Sequence, residues 1–337
     1  MSANPLRPAW LALALLLASL LLLLLGAGVG STGWESVWRL AAPDADPLAW
    51  QIVRDIRLPR TMGAWLAGAL LGLAGAVAQG VFRNPLADPY LLGSASGASL
   101  GVALAMAALG VSPFALQGLL RLGITGAAFA GAVGAVLLTL LLAKGAHNTM
   151  RLLLAGVVVG VVLGAASSMV LMLSPEIMQA MQSFMLGSTS FVGWGACALM
   201  AAVLALVVLL AWSLSRVLDG LALGEATALS LGLPLAPLRL LLIVVMALAT
   251  GTAVAQTGLI AFVGLAAPHL VRSLVRAMHA WLLLLSAAMG AVLLLGADLL
   301  ARWLIAPQEL PVGVLTAVLG GTYLLWLMHR RNVQELA

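Results

Sequence analysis

Residues 9–28 read Ala9-Trp-Leu-Ala-Leu-Ala-Leu-Leu-Leu-Ala-Ser-Leu-Leu-Leu-Leu-Leu-Leu-Gly-Ala-Gly28. The run carries no charge and no proline. An α-helix of about 20 such residues spans the ~30 Å hydrocarbon core of a bilayer. A membrane barrel would show short alternating segments instead, and the unbroken Leu20–Leu25 has no alternation. Nine further runs of this kind follow, at 61–81, 91–109, 115–142, 152–173, 192–214, 236–256, 258–276, 280–300 and 312–328. Gly258, Gly264 and Pro268 interrupt the eighth of the ten. Composition agrees. Of 337 residues, 63% are hydrophobic and 8% charged, and mean hydropathy is +1.15. A soluble domain carries roughly 25% charged residues to cover its surface. A soluble multidomain enzyme is excluded, as is a disordered chain, which needs the opposite composition. The fold class is an all-α polytopic membrane protein with about ten transmembrane helices, a single transmembrane domain over residues 1–337.

The first run follows Arg7 and could also be a signal peptide. No clean small-x-small cleavage site ends it, so it reads as an uncleaved span. Orientation follows from the basic residues. With the N-terminus inside and ten alternating spans, ten of the 16 Lys and Arg fall inside. Arg39, Arg54, Arg57, Arg60, Arg121 and Arg302 fall outside. Asp88, Asp219, Glu225 and Glu335 lie inside. Glu35, Asp44, Asp46, Asp55, Glu176, Asp298 and Glu309 lie outside or near that boundary. Both termini are therefore expected on the cytosolic side. The pI of 10.6 does not indicate nucleic acid, because the cations are spread along membrane edges with no patch to track phosphates.

Several chemistries are missing. Cys197 is the single cysteine, so no internal disulfide forms and a buried inert thiol is expected. His147, His269, His279 and His329 make no pair at metal-ligand spacing, and no metal site is expected. His279 and His329 read as solvated helix ends. The only lysine, Lys144, sits between Ala143 and Gly145. A phosphate-binding Gly-Lys-Ser/Thr loop is therefore absent, and ATP would have to be bound by another subunit. Gly93-Ser94-Ala95-Ser96-Gly97 has the frame of a nucleophile elbow with Ala95 in the nucleophile's place. No catalytic residue is assigned. Ion-coupled carriers usually keep a carboxylate or histidine inside a span, and the predicted interiors hold almost none. Asp298 and Arg302, near an outer end, can pair at i, i+4.

Glycines recur every fourth residue at Gly93, Gly97 and Gly101, and at Gly156, Gly160 and Gly164, with Gly68 and Gly72 as a further pair. Such spacing lets a neighbouring helix approach closely or lines a pathway, with Ser94 and Ser96 as polar candidates. Pro85 and Pro89 forbid a continuous helix through 82–97 and favour a turn at the inner interface. Pro268 should kink the segment 258–272 or start a helical turn. Ala76-Val-Ala-Gln79 recurs as Ala253-Val-Ala-Gln256, in opposite orientation in the span model. An inverted repeat would do this, and so would chance in an alanine-rich chain.

Two loops carry structure. In 174–187, Ser174 can cap, Pro175 suits the first helical position and Gly187 can close the helix. Ile177, Met178, Met181, Phe184 and Met185 are expected on one face of an outer amphipathic helix. It either lies on the bundle or forms a lid whose methionines adapt to irregular ligands. Residues 215–234 form the longest inner loop. A helix is expected from Asp219 or Gly220 to Gly232. Its Leu221, Leu223, Leu229 and Leu231 would not stay bare in water, so a partner protein or the neighbouring bundle should cover them.

The run Arg57-Leu-Pro-Arg60, Asn84-Pro-Leu-Ala-Asp-Pro89 and Gly93-Ser-Ala-Ser-Gly97 resembles the FecCD-type permeases of type II ABC importers. So do Leu223-Gly-Glu-Ala226, Leu231-Gly-Leu-Pro234, the block 258–272, Ala297-Asp-Leu-Leu-Ala-Arg302 and Glu309-Leu-Pro-Val-Gly313. They stand in family order over residues 57–313. Tyr90 departs from the pattern, since many relatives carry a smaller residue there. The resemblance implies a type II ABC importer permease fold in the bacterial cytoplasmic membrane, assembled as a homodimer. It implies two cytosolic ATPase subunits, which bind the ATP and Mg, and an extracytoplasmic substrate-binding protein. Leu221, Leu223, Gly224, Glu225, Ala226, Leu229 and Gly232 would form the ATPase-coupling loop. Arg57, Arg60 and Arg302 would dock glutamates of the binding protein. Met178, Met181, Phe184, Met185, Ser94 and Ser96 would flank the pathway. The implied cargo is an iron chelate, a ferric siderophore or haem. Cobalamin is the alternative, and an ion-coupled secondary transporter a distant one.

Overall fold

The computed structural model describes residues 7–30, 33–34, 47–109 and 119–335. The predicted outer charges Glu35, Arg39, Asp44 and Asp46 and residues 115–118 of the fourth run lie outside the described residues, as do the side chains of Arg121, Arg330, Arg331 and Glu335. The chain is helical almost throughout. In order, α1 is Pro8–Gly28, α2 is Pro47–Ile52 and α3 is Leu58–Val81; a π-helical turn, Val53–Arg57, joins the last two. Then come α4 (Ser94–Leu109), α5 (Leu119–Leu142), α6 (Thr149–Leu173), α7 (Met178–Leu186) and α8 (Trp194–Ser213). The short α9 (Ser215–Ala222) and α10 (Glu225–Ser230) precede α11 (Leu235–Thr257), α12 (Val263–Leu274), α13 (His279–Trp303) and α14 (Val312–Glu335). Val29–Gly30 pairs antiparallel with Gly33–Trp34.

Every predicted run contains a helix. Seven helices among the described residues are long and apolar enough to cross a membrane, while α4 and Val312–Trp326 are apolar but shorter. The eighth run shortens most. Gly258 (φ 70) stops α11, Phe262 adopts a left-handed φ of 67, and only the 12 residues of α12 are helical. That is about 18 Å of helix, too short to cross alone. Pro268 lies inside it. The second run, in contrast, is extended: the helix runs from Leu48 through the π turn to Val81, 34 residues.

Helix α3 is the centre. Its apolar window is 89% buried, against 17% for α6. Around it pack α13, α11, α12 and α8. The contacts are made by small residues. A Cβ on Gly68 would overlap the Gly290 carbonyl of α13, one on Gly72 the Ser286 carbonyl, and one on Gly75 the Gly264 carbonyl of α12. Gly97 and Gly101 of α4 meet Gly131 and Ala127 of α5 in the same way, and Gly156 meets the Leu91 carbonyl. Most of these four-residue glycine repeats are thus packing devices. Gly160 and Gly164 differ, since nothing lies closer than the Ser96 hydroxyl, at 3.8 Å. The two Ala-Val-Ala-Gln copies end the adjacent helices α3 and α11. Their glutamines diverge: Gln79 is buried and bonded to the Leu265 carbonyl (3.1 Å) and Arg272, while Gln256 is half-exposed. Cys197 is buried, its Sγ 3.1 Å from the Pro59 carbonyl, as expected of a structural thiol.

Gly75→Leu should abolish assembly of a stable bundle, read as loss of monodisperse protein in detergent. Gly134 has nothing within 4 Å of its would-be Cβ. Gly134→Ala should therefore leave the melting temperature equal or higher, since alanine favours a helix by about 1 kcal/mol.

Candidate functional site

At the end of the bundle that the charge distribution assigns to the outside, the π turn passes into α3 at Leu58-Pro59. This start brings Arg57 and Arg60 beside the last turn of α13. There Asp298, fully buried, pairs with Arg302 one turn on, takes a 3.3 Å bond from Arg60 Nη2 and accepts the Thr189 hydroxyl. Arg60 Nη1 also donates to both oxygens of Glu309, at 2.9 and 2.8 Å, and Ser190 donates to the same carboxylate at 3.2 Å. Arg302 Nη1 reaches Thr61 (3.3 Å), Thr61 donates to the Arg57 carbonyl (2.7 Å), and Arg57 Nη1 donates to the Gly28 carbonyl (3.2 Å). Five ends of the chain are tied here: α1, α3, the 187–193 loop, α13 and the loop before α14. The three arginines expected to dock a binding protein's glutamates do not stand bare at the rim. Arg57, Arg60 and Arg302 are all buried: Asp298 and Glu309 supply counter-ions to Arg60 and Arg302 within the chain, and Arg57 is held by the Gly28 carbonyl. A buried cation without such partners is strongly disfavoured. The i, i+4 pairing of Asp298 with Arg302 is as expected. Among the described residues, the exposed cation of this rim is Arg54, in the π turn.

The opposite end holds residues 215–239. The single helix expected over 219–232 is two helices, α9 and α10, broken at Leu223 and Gly224. Gly224 sits at φ 106 and Gly232 at φ 78, a region that favours glycine. The break turns the leucines apart. Leu221 is fully buried against the bundle, a correction, since its helix α9 packs on α3 and α13. Leu223, Leu229 and Leu231 are 67, 59 and 65% exposed, with Ala226 exposed between them. They form the bare ridge the sequence implied. Behind the ridge, Glu225 accepts Arg239 (2.8 Å), Arg83 (3.3 Å) and the Thr149 hydroxyl (3.2 Å). Arg239 is buried and also donates to the carbonyls of Ala146 (2.9 Å) and His147 (3.1 Å). Glu225 thus ties the ridge to α6, α11 and the loop after α3. His279 is not a solvated end. Its Nδ1 lies 2.7 Å from Asp219, which also accepts the His279 backbone N–H at 3.0 Å and so closes the start of α13.

The pathway candidates separate. Ile177 and Met181 are buried, Phe184 is half-buried, and Met178 and Met185 point outward. The single face expected for 177–185 is corrected: the flank of Ile177, Met181 and Phe184 turns to the bundle, while Met178 and Met185, two turns apart on the neighbouring flank, stay exposed. Ser174 makes no side-chain cap bond, whereas Gly187 (φ 68) ends α7 as expected. Ser94 is buried with its hydroxyl unpartnered among the described residues, and Ser96 is half-buried facing Gly160 and Gly164. Tyr90, the departure from the family pattern, links the two irregular segments by donating to the Ile260 carbonyl at 3.2 Å. Burial pushes the nearby Asp88 carboxyl above its usual range, offset in part by the Tyr90 N–H it accepts at 2.7 Å. Among the described residues no group of three His, Cys, Asp or Glu could hold a metal.

The counter-ions Asp298 and Glu309 and the hub Arg239 were not singled out as site residues by sequence reasoning. A signal existed for Arg239: it is the one charged residue of α11, and a lone cation in an apolar helix demands a partner.

A membrane bundle with a bare, hinged ridge at one end and a locked polar rim at the other is the architecture of an ABC importer permease. Solved structures agree. A chain of an inward-facing ABC transporter classed as metal-chelate type matches with a TM-score of 0.85 and 31% identity, over 96% of this chain and 100% of that one. PsaBC from Streptococcus pneumoniae, at 19% identity and TM-score 0.56, shares the fold. The chain belongs to the FecCD transport family, whose profile matches residues 14–330. Relatives include the hemin transport system permease protein HmuU of Yersinia pestis, 40% identical over 96% of this chain and 97% of its own length. The vitamin B12 import system permease protein BtuC of Shigella boydii is 39% identical over 95% and 94%.

Asp298→Ala would leave Arg60 and Arg302 buried without their shared counter-ion. It should cost about 3–5 kcal/mol, seen as a large drop in melting temperature in detergent. Arg54→Glu, at the exposed rim, should change stability by less than about 0.5 kcal/mol.

Proposed function

We propose that the chain is the membrane half of an ATP-driven importer of an iron chelate, haem first, working as a homodimer in the bacterial cytoplasmic membrane with both termini cytosolic. The observation that carries the cargo is the end-to-end similarity to a hemin permease. The near-equal similarity to a B12 permease supports cobalamin as the second reading. Both cargoes are metal-centred macrocycles, rigid and bulky ligands of one chemical class. The subunit performs no hydrolysis itself. ATP and Mg belong to two partner ATPases, which would cover Leu223, Ala226, Leu229 and Leu231, with Gly224 and Gly232 shaping the ridge. Glu225 positions this ridge through Arg239, and buried Leu221 anchors it. Motion of an ATPase would then reach α6 and α11 as a rigid-body shift.

The docking role of Arg57, Arg60 and Arg302 is retained in revised form. An extracytoplasmic binding protein would meet exposed Arg54 first, and its carboxylates would replace Glu309 on Arg60 rather than find free guanidinium groups. Met178 and Met185 face outward beside the opening, while Met181, Phe184, Ser94 and Ser96 belong to its wall. A second copy of the chain would cover α6, whose long apolar face is bare.

The test is reconstitution with an ATPase subunit and a binding protein in liposomes. ATP-dependent accumulation of haem in preference to a ferric siderophore or cobalamin is expected. Uptake by this chain alone on an ion gradient would overturn the reading. Leu223→Asp and Leu229→Asp should each weaken co-purification of the ATPase at least tenfold, since burying a leucine is worth about 1.5–3 kcal/mol. Unchanged uptake in both variants would remove the coupling assignment.

A further inference from the structure

A groove of about 610 Å³ opens between the end of α5 and the start of α11. Leu137, Leu141, Pro237 and Leu240 form its walls, and Lys144 and His147 stand at its mouth. The wall residues belong to spans. Leu137 lies five residues before the end of α5, hence about 7 Å inside the membrane edge, and Leu137 and Leu141 are exposed on the outer surface of the bundle. A water-borne protein would not reach that depth, whereas an acyl chain fills it without leaving the bilayer.

The mouth has the matching chemistry. Lys144 is the only lysine of the chain. It is exposed and makes no ion pair among the described residues. Its backbone is held at φ 57, a left-handed conformation uncommon outside glycine, with Gly145 following at φ 92. Arg239 fixes this loop from beneath through the Ala146 and His147 carbonyls. No carboxylate lines the groove. Glu225, which lines the smaller groove beside it, is committed to Arg239, Arg83 and Thr149. We infer that this groove is a binding site for an anionic phospholipid, its acyl chain between α5 and α11 and its phosphate on Lys144. Cationic pockets between membrane helices at the bilayer edge commonly recognise such headgroups.

The single lysine makes the test direct. Within this chain an amine-reactive ester can label only Lys144 and the N-terminal amine, so the Lys144 peptide is read by mass spectrometry. In nanodiscs holding the complete transporter, phosphatidylglycerol should slow labelling of Lys144 about fivefold relative to phosphatidylcholine. Ala236→Trp fills the groove from α11 without altering charge. It should abolish that protection while size-exclusion behaviour and melting temperature remain normal. Lys144→Gln should remove the preferential retention of phosphatidylglycerol in native mass spectra. Protection that persists in Ala236→Trp would mean only diffuse attraction to a charged surface and would overturn the site. Equal labelling in the two lipids, or protection that tracks the ATPase subunit instead, would overturn it as well.

Discussion

Lipid offers no hydrophobic reward for bringing two apolar helices together, so association inside a bilayer depends on how closely backbones can approach. This constraint shapes the whole protein. Helix α3 is the most buried of the seven long spans and also the least hydropathic, at 1.6 against 2.1–2.6 for the others. The inversion has a simple cause. A helix facing lipid needs leucine and valine, whereas one surrounded by other helices needs glycine and alanine. Gly68, Gly72 and Gly75 let α12 and α13 close onto α3, and the remaining helices are arranged around that core.

Polar groups then fasten the ends. Asp298 and Glu309 hold the arginines of one end, and Glu225 and Asp219 hold Arg239, Arg83 and His279 at the other. Such pairs are weak sources of net stability but strong penalties against misplacement, because a lone buried charge is so unfavourable. The two sets differ in exposure. Asp298 is sealed, while the Glu225 side chain is a third exposed. The sealed end keeps its charges from water, and the open end carries the exposed ridge.

Much of this was legible in the residues. Composition and run length located the long apolar helices, and the four-residue glycine spacing foretold close packing. The leucines of 215–234 were correctly read as a surface needing cover. What escaped was pairing over long sequence distances. Nothing local to Arg60 indicates Glu309, 249 residues away, so the sequence reading gives its guanidinium to a partner's carboxylate instead. Phase was lost for a different reason: Gly224, at a positive φ between α9 and α10, rotates the side chains that follow it. Periodicity assumes an unbroken helix and cannot register such a break.

The long reach of the Arg60–Asp298 contact has a consequence for biosynthesis. The partners are 238 residues apart. At roughly 5–20 residues per second of elongation, Arg60 waits some 10–50 s in the membrane before its counter-ion emerges. For that interval α3 stands with a bare guanidinium at one end and an empty glycine groove along its side. Arrival of α13 brings Asp298 to the guanidinium and Gly290 to Gly68 and Gly72 in the same step. A chain that stops short of it displays a charge and a notch that a membrane quality-control protease can distinguish from the finished protein.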